Sequence, residues 1–227
     1  MHIESLTLFT PDLDVQHAFY TGVLGLDTVT RTPDSVTFQA GRTFLTFRQQ
    51  GDPGRFSHLA FDIPRHQMDG AETWLRARVP LLEDEEGTSR FPLSEGWNSE
   101  SLYFEDAAGN LLEFIARHDV LNDHAAPFGS GGVLHVSELG IVVPDVPAAV
   151  LDLERRFGLL TFHEQSGTFT PVGDHNGLLI VVREGRGWFP TGRPAAPAPF
   201  EITFNCGGST QRFQHSDLLK RPGARPC

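Results

Sequence analysis

Three kinds of side chain in this sequence stand where they could do chemistry. His58 leads the run "HLAFDIP", an apolar strand signal that ends at Pro64. An imidazole there can face solvent, sit in the core on one hydrogen bond, or bind a metal through its unprotonated nitrogen. Tyr103, within "SLYFED", can turn a phenol into a cleft as a donor or proton carrier, or pack at its rim. Arg183, Arg186 and Arg193 surround Trp188 in "REGRGWFPTGR". Planar guanidinium groups suit a carboxylate or phosphate, and the competing reading is a loop that lays an aromatic over the sheet edge. No glycine-rich phosphate loop follows a strand, and neither a Cys-x-x-Cys pair nor a Gly-x-Ser-x-Gly turn is present. A nucleotide cofactor and serine-hydrolase chemistry are therefore not expected.

The elements that must position these residues recur along the chain. "SLTLFTP" begins at Ser5, "HLAFDIP" at His58, "ELGIVVP" at Glu138 and "EITFNCG" at Glu201. The first three are apolar runs closed by proline at the same spacing, and in the fourth Gly207 takes the proline's place. Copies one and three agree further, with Pro11-Asp12 and Gly25-Leu26 returning as Pro144-Asp145 and Gly158-Leu159. Helical spacing follows: Leu13, Tyr20 and Leu24 in the first copy, with Thr10 as the expected cap, and Val146, Ala149, Val150, Leu153 and Phe157 in the third. Short β-type runs complete each unit, among them "SVTFQA", "NLLEFIA" and "GLLIVVR". In the fourth copy "QRFQHSDLLK" reads as a helix and the chain ends soon after it. The expected class is thus α+β, built of strand–helix–strands units with the last one truncated. Polar, glycine-rich residues 118–132 read as a linker between domains 1–117 and 133–227, and proline-rich residues 189–199 as an extended connector.

Composition bounds the function. The chain of 227 residues has 39% hydrophobic residues, and Lys+Arg 18 against Asp+Glu 29 gives a net charge of −11. Without a basic stripe, nucleic acid and anionic membranes are not expected partners. The two cysteines, Cys206 and Cys227, make no disulfide framework, and the start of the chain lacks the pattern of a signal peptide, so a cytoplasmic location is expected. No apolar run approaches the roughly 20 residues that span a bilayer.

With "AFYTGVLGL" after the first strand and "YFEDAAGNLLEFIA" closing the second unit, the sequence resembles the vicinal oxygen chelate superfamily. That group includes glyoxalase I, bleomycin-resistance proteins and extradiol dioxygenases. The resemblance covers residues 1–117 well and about 133–205 more weakly. It implies paired βαβββ units that form curved mixed sheets around a cleft, in two domains. It implies a metal held by residues on first and last strands and left open towards two substrate oxygens. His58 falls on the first-strand ligand position of unit two and Glu113 on its last-strand position, a pair suited to Fe, Mn, Ni or Zn. Ser5 falls on the first-strand position of unit one, where serine is a poor ligand and is carried over as a substrate contact. Tyr103, from its place on a strand of unit two, is the candidate catalytic residue. Glu138 and Glu201 fall on the first-strand positions of units three and four and about Ile180 on the last-strand position of unit three; two carboxylates without histidine make a weak site, and the two acids read as solvated or paired. The implied function is metal-dependent dioxygenase or glyoxalase-like lyase chemistry on a small molecule. The alternative is a metal-free protein that binds a drug-like or aromatic ligand, lined by some of its three tryptophans and eighteen phenylalanines. An unfinished fourth unit would leave strand edges open, which suggests a homodimer.

Overall fold

The computed structural model describes residues 1–50, 55–93, 96–163 and 165–218. Unit one runs β1 (His2–Thr10), α1 (Leu13–Gly22), β2 (Asp27–Arg31), β3 (Ser35–Ala40) and β4 (Thr43–Gln49). Unit two runs β5 (His58–Ile63), α2 (Met68–Arg76), β6 (Arg90–Leu93), β7 (Ser99–Glu105) and β8 (Leu111–Arg117). Unit three has β9 (His135–Val143), α3 (Val146–Phe157), β10 (Phe169–Asp174) and β11 (Gly177–Arg183), followed by a small hairpin of β12 (Gly187–Trp188) and β13 (Arg193–Pro194). Unit four is β14 (Glu201–Cys206), β15 (Ser209–Gln214) and the single turn α4 (His215–Leu218). No helix among the described residues is long and apolar enough to cross a membrane.

Aspartates fix both long first-crossover helices. Asp12 caps α1, accepting from the Asp14 and Val15 amides. Thr10, the expected cap, lies two residues earlier, and its hydroxyl accepts from the Asp12 amide instead. Asp145 caps α3 in the same way through the Ala148 amide, and Gly158 ends that helix at φ 67°, a left-handed conformation that favours glycine. Of the helix expected over residues 211–220, the first part belongs to a strand over Ser209–Gln214, His215–Leu218 is the single turn α4, and residues 219–220 lie outside the described residues. Gly207 and Gly208 both have positive φ, so they form a two-residue hairpin turn that folds β15 back on β14 with Cys206 opposite Ser209.

The strands make two large sheets, ordered β15-β14-β1-β4-β3-β2 and β10-β11-β9-β5-β8-β7-β6. Hydrogen bonding therefore joins unit one to unit four and unit two to unit three, whereas the expected division at residues 118–132 follows chain order. One apolar cluster combines both sheets, drawing in Leu6 and Phe47 from one and Phe61, Phe114 and Leu139 from the other. β5 and β8, in the middle of their sheet, are buried along their whole length. A polar hub ties unit one to unit two. In the turn between β7 and β8, the Asp106 carboxylate accepts from Gln16 Nε2 at 2.8 Å, Tyr20 Oη at 3.1 Å and Asn110 Nδ2 at 2.8 Å, and from the Ala108 and Asn110 amides at 2.9 Å. That turn sets where β8 begins, and with it the position of Glu113.

Candidate metal centre

Ala60 organises the site. It pairs with Glu113 of β8 on one side and with Glu138 of β9 on the other. Side chains on neighbouring strands in register share a face, and so does a residue two positions along a strand. Glu113, Glu138 and His58 therefore converge over the small methyl of Ala60. A bulge in β9 helps: Ala60 faces Glu138 but Phe61 faces Val136, so Ser137 is the extra residue that keeps Glu138 on this face and Val136 in the core.

The three side chains are almost fully buried, and one donor atom from each lies within 4.8 Å of the others. His58 Nε2 is 3.6 Å from Glu113 Oε2 and 3.9 Å from Glu138 Oε2, beyond hydrogen-bonding distance. Its Nδ1 lies 3.3 Å from the Leu111 carbonyl. A carbonyl only accepts, so Nδ1 is the donor there and Nε2 is the ring atom turned to the two carboxylates. Behind Glu138 stands Arg117, which is fully buried; it donates through Nη2 to Glu138 Oε1 and through Nε to Asp62 Oδ1 at 3.1 Å. Glu138 Oε2 is thereby left turned to His58.

Charge is unbalanced here. Three buried carboxylates, Asp62, Glu113 and Glu138, face one guanidinium. Burial pushes Glu113 up to about 7, helped by the neighbouring Glu138 carboxylate and opposed by His58 and Arg117. Burial also works against ionisation of Glu138, but Arg117 and His58 outweigh it and hold that carboxyl below its ordinary value. Burial raises Asp62 to about 6 against the pull of Arg117. A divalent cation among His58, Glu113 and Glu138 would supply the missing positive charge, and one imidazole with two carboxylates suits Mn, Fe, Ni or Zn. The donor set fits such an ion.

These residues line a cavity of about 290 Å³. Tyr103, opposite Glu113 in the β7–β8 register, contributes a phenol that burial, helped by the nearby Glu113 and Glu138 carboxylates, keeps protonated well above its ordinary value. The Trp188 ring is centred 4.9 Å from His58. It fits because residue 140 is glycine: a Cβ there would come within 2.7 Å of Trp188 and 3.0 Å of the His58 Cβ. Trp97, Phe169 and Phe189 add further aromatic wall, so the proline-rich stretch expected to be a plain connector begins as part of the cavity. Ile180 also lines it.

The structure thus brings together His58, Glu113 and Tyr103, and leaves Ser5 apart on the six-stranded sheet, opposite Phe44 and Thr203. Sequence reasoning missed Glu138, read as a solvated or paired acid; it is paired, but buried and turned into the cavity. The available signal was its place at the head of unit three, at the same position in its repeat as His58. Glu201 holds the equivalent register in the other sheet, opposite Thr7, and is a half-exposed partner of Arg48 and Arg212.

No protein-family model matches the sequence, and no curated protein matches it. Solved structures do. A candidate dioxygenase from Bacillus subtilis is 19% identical, with 92% of this chain and 68% of that one covered, at a TM-score of 0.58. Glyoxalase I from Zea mays is 13% identical, with 80% of this chain and 66% of that one covered, at 0.54. A lactoylglutathione lyase from Agrobacterium tumefaciens is 27% identical, covering 50% of this chain and 91% of that one, at 0.42. With its repeated units and two large mixed sheets, the chain has the vicinal oxygen chelate fold.

Proposed function

We propose that this protein is a divalent-metal-dependent enzyme acting on a small molecule, with His58, Glu113 and Glu138 as the protein ligands. The observation that carries this reading is the convergence of one imidazole and two carboxylates, buried and within 4.8 Å, on the floor of an aromatic cavity. The donor set is rich in carboxylate and lacks the second histidine of the two-histidine, one-carboxylate oxygenase site, so lyase or isomerase chemistry of the glyoxalase kind is favoured over dioxygen chemistry. When bound, the ion supplies a Lewis acid that polarises a substrate oxygen.

The chain's own residues do the rest. Leu111 and Arg117 hold His58 and Glu138 in their facing orientations. The protonated Tyr103 hydroxyl is placed to donate to a substrate oxygen beside Glu113. Trp97, Phe169 and Trp188 exclude water and offer flat surfaces to a ring or alkyl group. That aromatic lining also supports a second reading, a metal-free cavity that sequesters an apolar ligand.

Metal-loaded protein assayed on hemithioacetals and on catechols separates these readings. Turnover of a hemithioacetal, lost in His58→Ala, is the expected result. Ring cleavage of catechol without hemithioacetal turnover would contradict the lyase assignment. Protein that takes up no metal but binds aromatic compounds would replace the enzyme reading with the binding one.

A further inference from the structure

The cavity is chemically lopsided. Its floor carries Glu113 and Glu138, its walls are aromatic, and one guanidinium, that of Arg186, reaches it. Arg186 lies in the turn between β11 and β12, with Cζ 4.8 Å above the Phe169 ring. Phe169 pairs with Val182, while Glu138 pairs with Leu178. Four residues of β11 separate those two points, roughly 13 Å of strand.

Among the described residues Arg186 has no counter-charge: it makes no ion pair, and its side chain donates to the Gly187 carbonyl at 3.1 Å. Other arginines around the cavity are matched: Arg117 by Glu138 and Asp62, Arg193 by Glu105. Burial lowers the Arg186 pKa, consistent with a half-buried cation that no acid among the described residues offsets. Flat, weakly hydrated and stacked on a ring, its guanidinium presents the fork that a carboxylate fills. The acidic floor would repel an anion, so the negative end of a ligand is directed to this wall.

We propose that Arg186 anchors an anionic group of the substrate, a carboxylate or equivalent oxyanion, at the end of the cavity away from His58, Glu113 and Glu138. This rests on the reading of the cavity as the substrate site. The substrate is then a small organic acid with a flat apolar middle and its oxygen donors at the opposite end from the acid.

Benzoate and benzamide share shape and differ in charge, so calorimetric titration of both into the wild type, Arg186→Gln and Arg186→Lys tests the proposal, with metal content measured on each sample. The wild type should prefer benzoate by about tenfold or more. Arg186→Gln should abolish the preference while keeping the affinity for benzamide, and Arg186→Lys should retain part of it. A wild type without the preference, including one that binds neither compound, overturns the proposal. So does a preference that survives in Arg186→Gln, which would place the carboxylate at the metal end. A lost preference in metal-free protein upholds the anchor while removing the metal reading; metal at one equivalent without any preference does the reverse.

Discussion

Glu113 and Glu138 reach the same point from opposite sides of one residue, Ala60, whose methyl is all that fills the face of β5 between them. The size of residue 60 therefore controls whether the carboxylates can meet. Ala60→Val adds two methyl groups to a fully buried position and should cost about 1–3 kcal/mol. It should also weaken metal uptake by more than tenfold while the chain stays folded. Thermal melts with metal titration check both, and unchanged uptake would show that the gap over Ala60 is not what admits the ion.

Gly140 plays a matching part for the ring above the site. Gly140→Ala places a methyl 2.7 Å from Trp188 and 3.0 Å from the His58 Cβ, so the indole must move. A shift in tryptophan emission with a loss of about 1–3 kcal/mol is expected. An unaltered spectrum would mean that Trp188 is not seated against residue 140.

The buried acids give the metal-free protein a definite pH dependence. Glu113 at about 7 and Asp62 at about 6 both lie above their ordinary values, so the folded state holds these protons more tightly than the unfolded chain. Their contribution to stability is complete below the unfolded values near 4 and is lost as pH rises through about 6 to 7. His135, lowered by burial to about 3, works the other way up to about pH 6.5, so the test is the difference between two proteins: from pH 5 to pH 8 the melting temperature of chelator-treated wild type should drop relative to that of Glu113→Gln. The same pH dependence in both would contradict the assignment.

Away from the site, Asp106 joins α1 to the turn before β8. Removing its carboxylate in Asp106→Ala strands the buried donors of Gln16, Tyr20 and Asn110. The loss should be about 3 kcal/mol, with Asp106→Asn milder because it keeps an acceptor. Denaturant unfolding measures it, and a loss below about 1 kcal/mol would show that water replaces the hub.

Much of this architecture is legible in the residues alone. The repeated strand heads at Ser5, His58, Glu138 and Glu201 expose the unit, and Gly158 is the stop of α3 as expected, whereas α1 ends at Gly22, short of Gly25. His58 and Glu113 are readable because they lie on strands of one unit. Glu138 is readable only as the head of unit three, because its partner strand β5 lies in another unit far upstream, and nothing local in "ELGIVVP" says which edge β9 will join. Periodicity describes a strand's faces but not its neighbour. At β15 the cause is different: the run from Gln211 carries helical spacing but turns helical only from His215, because Gly207-Gly208 makes a hairpin and pairing with β14 takes Ser209–Gln214 into the sheet. Trp188 and Phe189 reach the cavity at the start of a proline-rich stretch whose composition suggests only reach.

The near-symmetry of the two sheets offers an internal control for the metal centre. Glu138 opposite Ala60 and Glu201 opposite Thr7 occupy equivalent positions, but only Glu138 has a histidine and a second carboxylate beside it among the described residues. Metal stoichiometry should be measured on wild type, Glu138→Gln and Glu201→Gln, each purified without chelator or histidine tag and then dialysed against Mn, Ni or Zn. One equivalent is expected in wild type and Glu201→Gln, with at least a tenfold weaker affinity in Glu138→Gln. Equal binding by all three, or none by any, would contradict a metal centre at His58, Glu113 and Glu138.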